Sequence, residues 1–202
     1  MLIVGLTGAS GSGKGYLSSL LANDDICIID TDRVYHKMIL APSPCVEALV
    51  SAFGDGIKND MGGIDRTVLG SIVFSSKENL ALLNSIAHSF IRERCNDIID
   101  NCNAKIVILD APVLFESGFD DMCDITVGVV ADEAVRAERI MKRDSVSREK
   151  ACARIRNQHS DDWFRESCDI VIENGGGDLT EAVRVLRDRL MRLYDEKEEK
   201  KK

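Results

Sequence analysis

Across its 202 residues this chain lacks the usual signals of a membrane protein, a disulfide-stapled protein or a nucleic-acid coat. No apolar run is long enough to span a bilayer. The short apolar start has no basic leader and runs straight into glycines, so neither a membrane span nor a signal peptide is expected. No C-x-x-C pair occurs among the seven cysteines Cys27, Cys45, Cys95, Cys102, Cys123, Cys152 and Cys168, a scatter that reads as buried free thiols in a reducing compartment, with no zinc site. Positive charge is also scarce. With 26 Lys and Arg against 34 Asp and Glu, the net charge of −8 argues against a surface built to coat phosphate backbones, and any phosphate site must be local. Repeats and low-complexity linkers are missing, and the one charge run, residues 196–202, reads as a frayed helical tail. What remains is a chain that is 45% hydrophobic and of a length to fill one domain, 1–202. It is expected in the cytoplasm, with no nucleic acid, membrane or obligate protein partner.

The richest stretch is Ile3 to Tyr16, an apolar run that breaks into glycines and ends at a lysine before a helical pattern. Gly8, Gly13 and Lys14 stand at the G-x-x-x-x-G-K spacing. Glycines there let backbone N–H groups turn around phosphate oxygens, the lysine reaches the outer phosphates, and the following helix adds its positive end. Two things are missing from this loop. The residue after the lysine is Gly15, followed by Tyr16, where a Ser or Thr hydroxyl for Mg²⁺ is usual, and Tyr16 also occupies the last glycine position of a dinucleotide fingerprint. A nucleoside triphosphate is therefore the better ligand.

Leu17, Leu20 and Leu21 recur at helical spacing before a short buried strand, Ile26 to Ile29, and strand–helix–strand order implies a parallel pair. That strand runs into Asp30-Thr31-Asp32. Ligands in open α/β sheets gather beyond the carboxyl ends of strands, although either aspartate could instead cap the helix bearing His36. Residues 42–103 read as a helical, substrate-side region, with a capping box at Ser75-Ser76-Lys77-Glu78 and a long helix turning Leu82, Leu83, Ile86, Phe90 and Ile91 inward. His88 lies on that helix, where a lone histidine is more often packed than functional. The third strand, Lys105 to Asp110, ends in an acid suited to the metal side of a phosphate loop. A fourth strand covers Ile125 to Val130. Asp132 opens a helix bearing Arg136, Arg139 and Arg143, and Arg148, Arg154, Arg156 and Arg165 follow, so that residues 136–168 read either as a phosphate-clamping lid or as a solvated, salt-bridged helix pair. The fifth strand, Asp169 to Ile172, leads to Asn174 and a closing helix.

These residues together resemble the dephospho-coenzyme A kinases, which phosphorylate the ribose 3′-hydroxyl of dephospho-coenzyme A with ATP. The resemblance runs through Gly5 to Gly8 with Gly11 to Lys14, Ile29 to Asp32 with His36, Ile64-Asp65-Arg66, Leu83-Asn84 with His88, Pro112 to Glu116, Arg139 with Arg143-Asp144, Arg154-Ile155 with Gln158, and Val171 to Asn174. It implies a three-layer α/β P-loop kinase fold: a five-stranded parallel sheet with helices on both faces, a helical substrate region and an arginine-rich lid. It implies ATP and Mg²⁺ as cofactors. On matching positions it implies a phosphate cradle at Gly11, Ser12, Gly13 and Lys14, an acceptor-side catalytic aspartate at Asp32, a lid arginine at Arg139 and Asn174 near the adenine. His36, Arg66 and His88 join Asp32 as substrate-side contacts, with Asp110 on the metal side. Gly15 and Tyr16 belong to the nucleotide side but depart from the family's Ser and Thr, and Ser89 replaces a usual proline. That leaves two alternatives open, another small-molecule or nucleotide kinase and a binding module with impaired catalysis.

Overall fold

The computed structural model describes residues 1–201, so of the charged tail only Lys202 lies outside the described residues. The chain divides into two compact units, Met1–Ile29 with Asn103–Lys202, and Asp30–Cys102 between them.

The first unit is built on a five-stranded sheet ordered β2-β3-β1-β4-β5, from β1 (Leu2–Thr7), β2 (Ile26–Asp30), β3 (Ile106–Asp110), β4 (Ile125–Val130) and β5 (Ile170–Glu173). The pairings of β1 with β3, β1 with β4 and β4 with β5 are parallel, with Leu6 opposite Asp110 on one side and Val127 on the other. Strands buried on both faces need apolar residues at every position, and β3 is buried throughout. Alternation then sorts the two faces. Leu2, Val4, Leu6, Ile106, Ile108, Val127 and Val129 join one core with Leu17 and Leu21 of α1 (Lys14–Leu21) and with Val183, Leu186 and Leu190 of the closing helix. On the opposite face Gly128 leaves room for Cys168 and Phe164. A Cβ at Gly128 would stand 2.9 Å from the Cys168 sulfur. Both residues belong to the segment of α8 (Asp161–Ser167) and its C-cap.

Four helices make up the second unit: α2 (Thr31–Met38), α3 (Pro44–Phe53), α4 (Arg66–Val73) and α5 (Lys77–Asp100). Its own core gathers Ile39, Val46, Leu49, Ile57, Ile64, Leu69 and Val73, with Leu83, Ile86 and Phe90 of α5 packed against them. Leu82 departs from the expected inward face and stays 43% exposed, because the buried stripe of α5 runs through Ala87, Ile91 and Cys95. The cap of α5 is also displaced by one residue. Ser76 is the N-cap and accepts from the Asn79 N–H at 3.2 Å. Glu78 is thus one position early for a reciprocal box and takes the Ser76 hydroxyl instead, at 2.7 Å.

After β4 the chain forms α6 (Glu133–Asp144) and α7 (Arg148–Arg156), joined by residues 157–160 to α8. The closing helix α9 spans Thr180–Glu199 and does not fray where the charge run begins. Lys197 donates to Asp124 at 2.6 Å, and that carboxylate also accepts the Ile3 N–H at 2.8 Å, which ties the end of α9 to the edge of β1. All seven cysteines are free thiols; Cys45, Cys95 and Cys168 are buried and the other four partly exposed. Among the described residues no helix is long and apolar enough to cross a membrane.

Candidate active site

Placing β1 at the centre of a parallel sheet puts the loop after it between the carboxyl ends of β3 and β4, the side on which such sheets bind ligands. The loop turns sharply: Ser12 N–H donates to the Ala9 carbonyl at 3.1 Å, and Gly13 enters α1 with φ of 92°. An L side chain is strained there, and a Cβ would collide with the Asn174 amide. Gly13 brings no side chain to cap α1; its carbonyl accepts the Tyr16 and Leu17 N–H groups, both at 3.0 Å, and the positive end of the helix dipole lies at the loop. Ser12 Oγ is buried without a hydrogen-bond partner among the described residues, a group that a ligand oxygen or a water can satisfy.

Lys14, at the first position of α1, forms an ion pair with Asp110 at the end of β3, and both side chains are largely buried. Two residues expected in separate phosphate and metal roles are therefore in contact. Leu6 opposite Asp110 in the β1–β3 register explains why the loop after β1 meets that carboxylate. Gly15 and Tyr16 follow in the same turn. Tyr16 is 57% exposed, and its carbonyl accepts the Ser19 hydroxyl at 2.7 Å.

The carbonyl side of the loop is held from α6. Arg139 donates to the carbonyls of Gly11 at 3.0 Å and Ser12 at 3.1 Å, and to the side-chain oxygen of Asn174 at 3.0 Å. Asn174 follows directly on β5. Its N–H donates to the Val130 carbonyl at 2.8 Å and its amide donates to Ser12 O, also at 2.8 Å. The Ser12 carbonyl turned toward these donors points the N–H of the same peptide, that of Gly13, the other way, toward a place for an anion. Lys14, Asp110, Arg139, Asn174 and Gly11 to Gly13 thus converge in the first unit.

Arg136, read from sequence only as one arginine of the segment 136–168, is joined at this loop by Gln158 and Asp161, and His159 follows Gln158. Arg136, only 3% exposed, donates to the Ser10 carbonyl at 3.1 Å, to Asp161 at 3.2 Å and to Gln158 at 3.2 Å. Burial holds the Asp161 carboxyl above its usual range against the pull of Arg136. His159 stacks on Trp163 at a centroid separation of 3.7 Å and meets Glu116 at 3.1 Å. The signal for Arg136 was its place three residues before Arg139 on one helical stripe. Farther along the arginine-rich segment the arginines form salt bridges, and Arg143 also reaches the Ser10 hydroxyl at 3.2 Å. Arg154 and Arg143 pair with Asp144, whose carboxyl is pushed down to about 2 mainly by the hydrogen bonds from Arg143, and Arg165 pairs with Asp162 and Glu173 on the surface.

In the second unit Asp30 is the N-cap of α2, accepting the Arg33 N–H at 2.9 Å, which leaves Asp32 as the exposed carboxylate of the first turn. His36 lies four residues on and hence on the same face; its Nδ1 is 3.5 Å from the Arg66 guanidinium at the start of α4. Nearby, burial pushes the Tyr35 hydroxyl up to about 12. His88 sits half-buried on α5, where burial first and the Arg92 charge second depress its pKa and keep the ring neutral near pH 7.

A family model described as dephospho-CoA kinase matches residues 2–179. The dephospho-CoA kinase of Fusobacterium nucleatum is 37% identical over 174 residues, covering 86% of this chain and 90% of that protein. That of Corynebacterium glutamicum is 36% identical over 180 residues, covering 87% and 90%. Among solved structures, a Thermus thermophilus protein superposes with a TM-score of 0.80 at 31% identity, over 95% of this chain and 97% of its own. A dephospho-CoA kinase from Campylobacter jejuni, with a TM-score of 0.64 at 24% identity over 94% and 95% of the two chains, shares the fold.

Proposed function

This chain belongs to the dephospho-CoA kinase family, and from that premise we propose that it transfers the γ-phosphoryl group of ATP to the ribose 3′-hydroxyl of dephospho-CoA, releasing CoA and ADP. The observation that carries the reading is the loop itself. A helix start with no side-chain cap, a glycine turn braced from its carbonyl side by Arg139 and Asn174, and Lys14 together suit a triphosphate.

In this mechanism the loop N–H groups and Lys14 hold the β- and γ-phosphates. The acceptor oxygen attacks the γ-phosphorus as the bond to the bridging oxygen breaks, and ADP leaves with that electron pair. Asp32 orients the hydroxyl and takes its proton late, for which an ordinary carboxylate suffices because the transition state is loose. Arg139 lends positive charge to the loop around the transferring group. His36, Arg66 and His88 contact dephospho-CoA. Neutral His88 serves as a hydrogen-bonding group and not as a charge, and the Arg66 guanidinium beside His36 supplies a cation for an anionic part of the substrate. For Mg²⁺ the donor set is an oxygen one, consistent with the ion's preference, but Gly15 brings no hydroxyl. Asp110 would hold the ion with waters completing its shell, and the ion would offset phosphate charge. We place the enzyme in the cytoplasm, with a small-molecule substrate and no nucleic-acid, membrane or obligate protein partner.

The test is direct. Purified protein with ATP, Mg²⁺ and dephospho-CoA should yield CoA and ADP in equal amounts, whereas nucleosides and shikimate should not consume ATP. Nucleotide binding without transfer to dephospho-CoA would refute the reading.

A further inference from the structure

Ser10, near the apex of the phosphate loop, has each of its three polar groups held by a side chain from elsewhere in the first unit. Its N–H donates to Gln158 Oε1 at 3.0 Å, its carbonyl accepts from Arg136 Nε at 3.1 Å, and its hydroxyl meets Arg143 Nη2 at 3.2 Å. Gln158 Oε1 also accepts from Arg136 at 3.2 Å, so the two residues grip Ser10 as one unit. Residues 157–160, which carry Gln158, join α7 to α8. The next residue, His159, stacks on Trp163 and meets Glu116 beyond β3. The link is thus fastened at adjacent residues to the loop after β1 and to the segment after β3.

From this geometry we infer that Arg136 and Gln158 are positioning residues that couple the α7–α8 link to the phosphate loop, so that the loop takes its nucleotide-binding shape with the link docked. The inference rests on the reading of this loop as the ATP site. A bond from Gln158 fixes the peptide N–H of Ser10, and the bond from Arg136 fixes its carbonyl; together they set the orientation of the peptide planes from which the cradle is built. Neither residue needs to touch nucleotide to act this way. Burial explains why an arginine serves: Arg136 can bond the loop, Gln158 and Asp161 at once through its planar fork, which a lysine cannot.

Trp163 is the single tryptophan of the chain, and it stacks on the residue next to Gln158, so its emission reports on the link. In wild-type protein, titration with Mg·ATP should change Trp163 emission with the same dissociation constant as calorimetry gives. Gln158→Ala removes an exposed side chain, should leave the melting temperature unchanged, and should weaken ATP binding about 10-fold while abolishing the emission change. Arg136→Gln should weaken ATP binding and abolish the emission change likewise, though with a lower melting temperature because it leaves Asp161 unpaired, and the double variant should bind ATP no more weakly than Arg136→Gln alone, because both act through Ser10. The KM for dephospho-CoA should not move in Gln158→Ala. Wild-type protein that binds no ATP by calorimetry would overturn the proposed function and this inference together. Wild-type protein that binds ATP with no emission change, or a Gln158→Ala variant matching wild type in both signals, would overturn the inference alone.

Discussion

Replacing Gly15 by serine restores a hydroxyl where the phosphate loop of this chain has none, and the local geometry allows its effect to be bounded. Gly15 does not have the left-handed φ of Gly13, and a Cβ built there meets nothing within 4 Å, so the substitution carries no steric or backbone penalty. The intrinsic helix preference of serine over glycine adds about 0.5 kcal/mol at this position of α1, worth about 1–2 °C in melting temperature for a chain of this size. The greater gain concerns Mg²⁺. A side-chain hydroxyl that replaces an ordered water removes an immobilisation cost of about 0–2 kcal/mol, a factor of up to about 30 in metal affinity. Initial rates of CoA formation measured over a Mg²⁺ titration at saturating ATP and dephospho-CoA should show half-saturation moving to lower metal, by no more than that factor, with turnover equal or higher. Adding Tyr16→Thr should cost little in stability, since Tyr16 is 57% exposed. A half-saturation that stays fixed or rises while activity falls would refute the reasoning, because Gly15 and Tyr16 would then be serving a substrate directly.

Other outcomes follow from the same geometry. Asp32→Asn should lower kcat by roughly 10²–10⁴-fold with ATP affinity intact, whereas Asp30→Ala, which removes the cap of α2, should mainly cost about 1 kcal/mol in chemical denaturation; equal kinetic losses in the two would show the wrong carboxylate was chosen. Arg139→Ala should reduce kcat by about 10²–10³-fold, and Arg139→Lys should recover only part of it, since one ammonium cannot bond the Gly11 and Ser12 carbonyls and Asn174 together; full recovery by lysine would exclude a role for the fork. His88 has a depressed pKa in the folded chain, so the unfolded chain binds more protons below about pH 6.5 and stability should fall as pH drops through that range. Urea unfolding at pH 7.5 and pH 5.5 should show this loss, and His88→Gln should shrink it; an unchanged difference in the variant would remove His88 as its source.

The phosphate loop and the five strands were legible in the sequence because their signals are local: a glycine spacing, and short apolar runs bounded by turns. The cap at Asp30 was legible for the same reason, as one of two named possibilities. Contacts between distant parts of the chain were not. Nothing near Lys14 in sequence announces Asp110, and Arg139 finds the Gly11 carbonyl 128 residues away. Arg136 was legible only as one arginine of a segment that reads either as a lid or as a solvated helix pair, and only the fold supplies the Asp161 carboxylate and the Ser10 carbonyl that let it be buried. The tail was legible as a helix end, but not the pairing of Lys197 with Asp124 before β4. On α5 a one-residue shift of the cap and the exposure of Leu82 reflect how weakly local pattern fixes helix rotation until a neighbour is packed against it.

The packing of Cys168 against Gly128 supplies a clock. Its thiol is held at about 11, first by burial and then by the Asp169 charge, and it lies where a Cβ on β4 would otherwise be, so while α8 is seated the sulfur offers an alkylating reagent neither access nor thiolate. Each reaction at Cys168 in the folded protein therefore counts a departure of α8 from the sheet. The opening free energy of that one helix can be read from labelling rates at reagent concentrations where closing outpaces modification, separately from global unfolding.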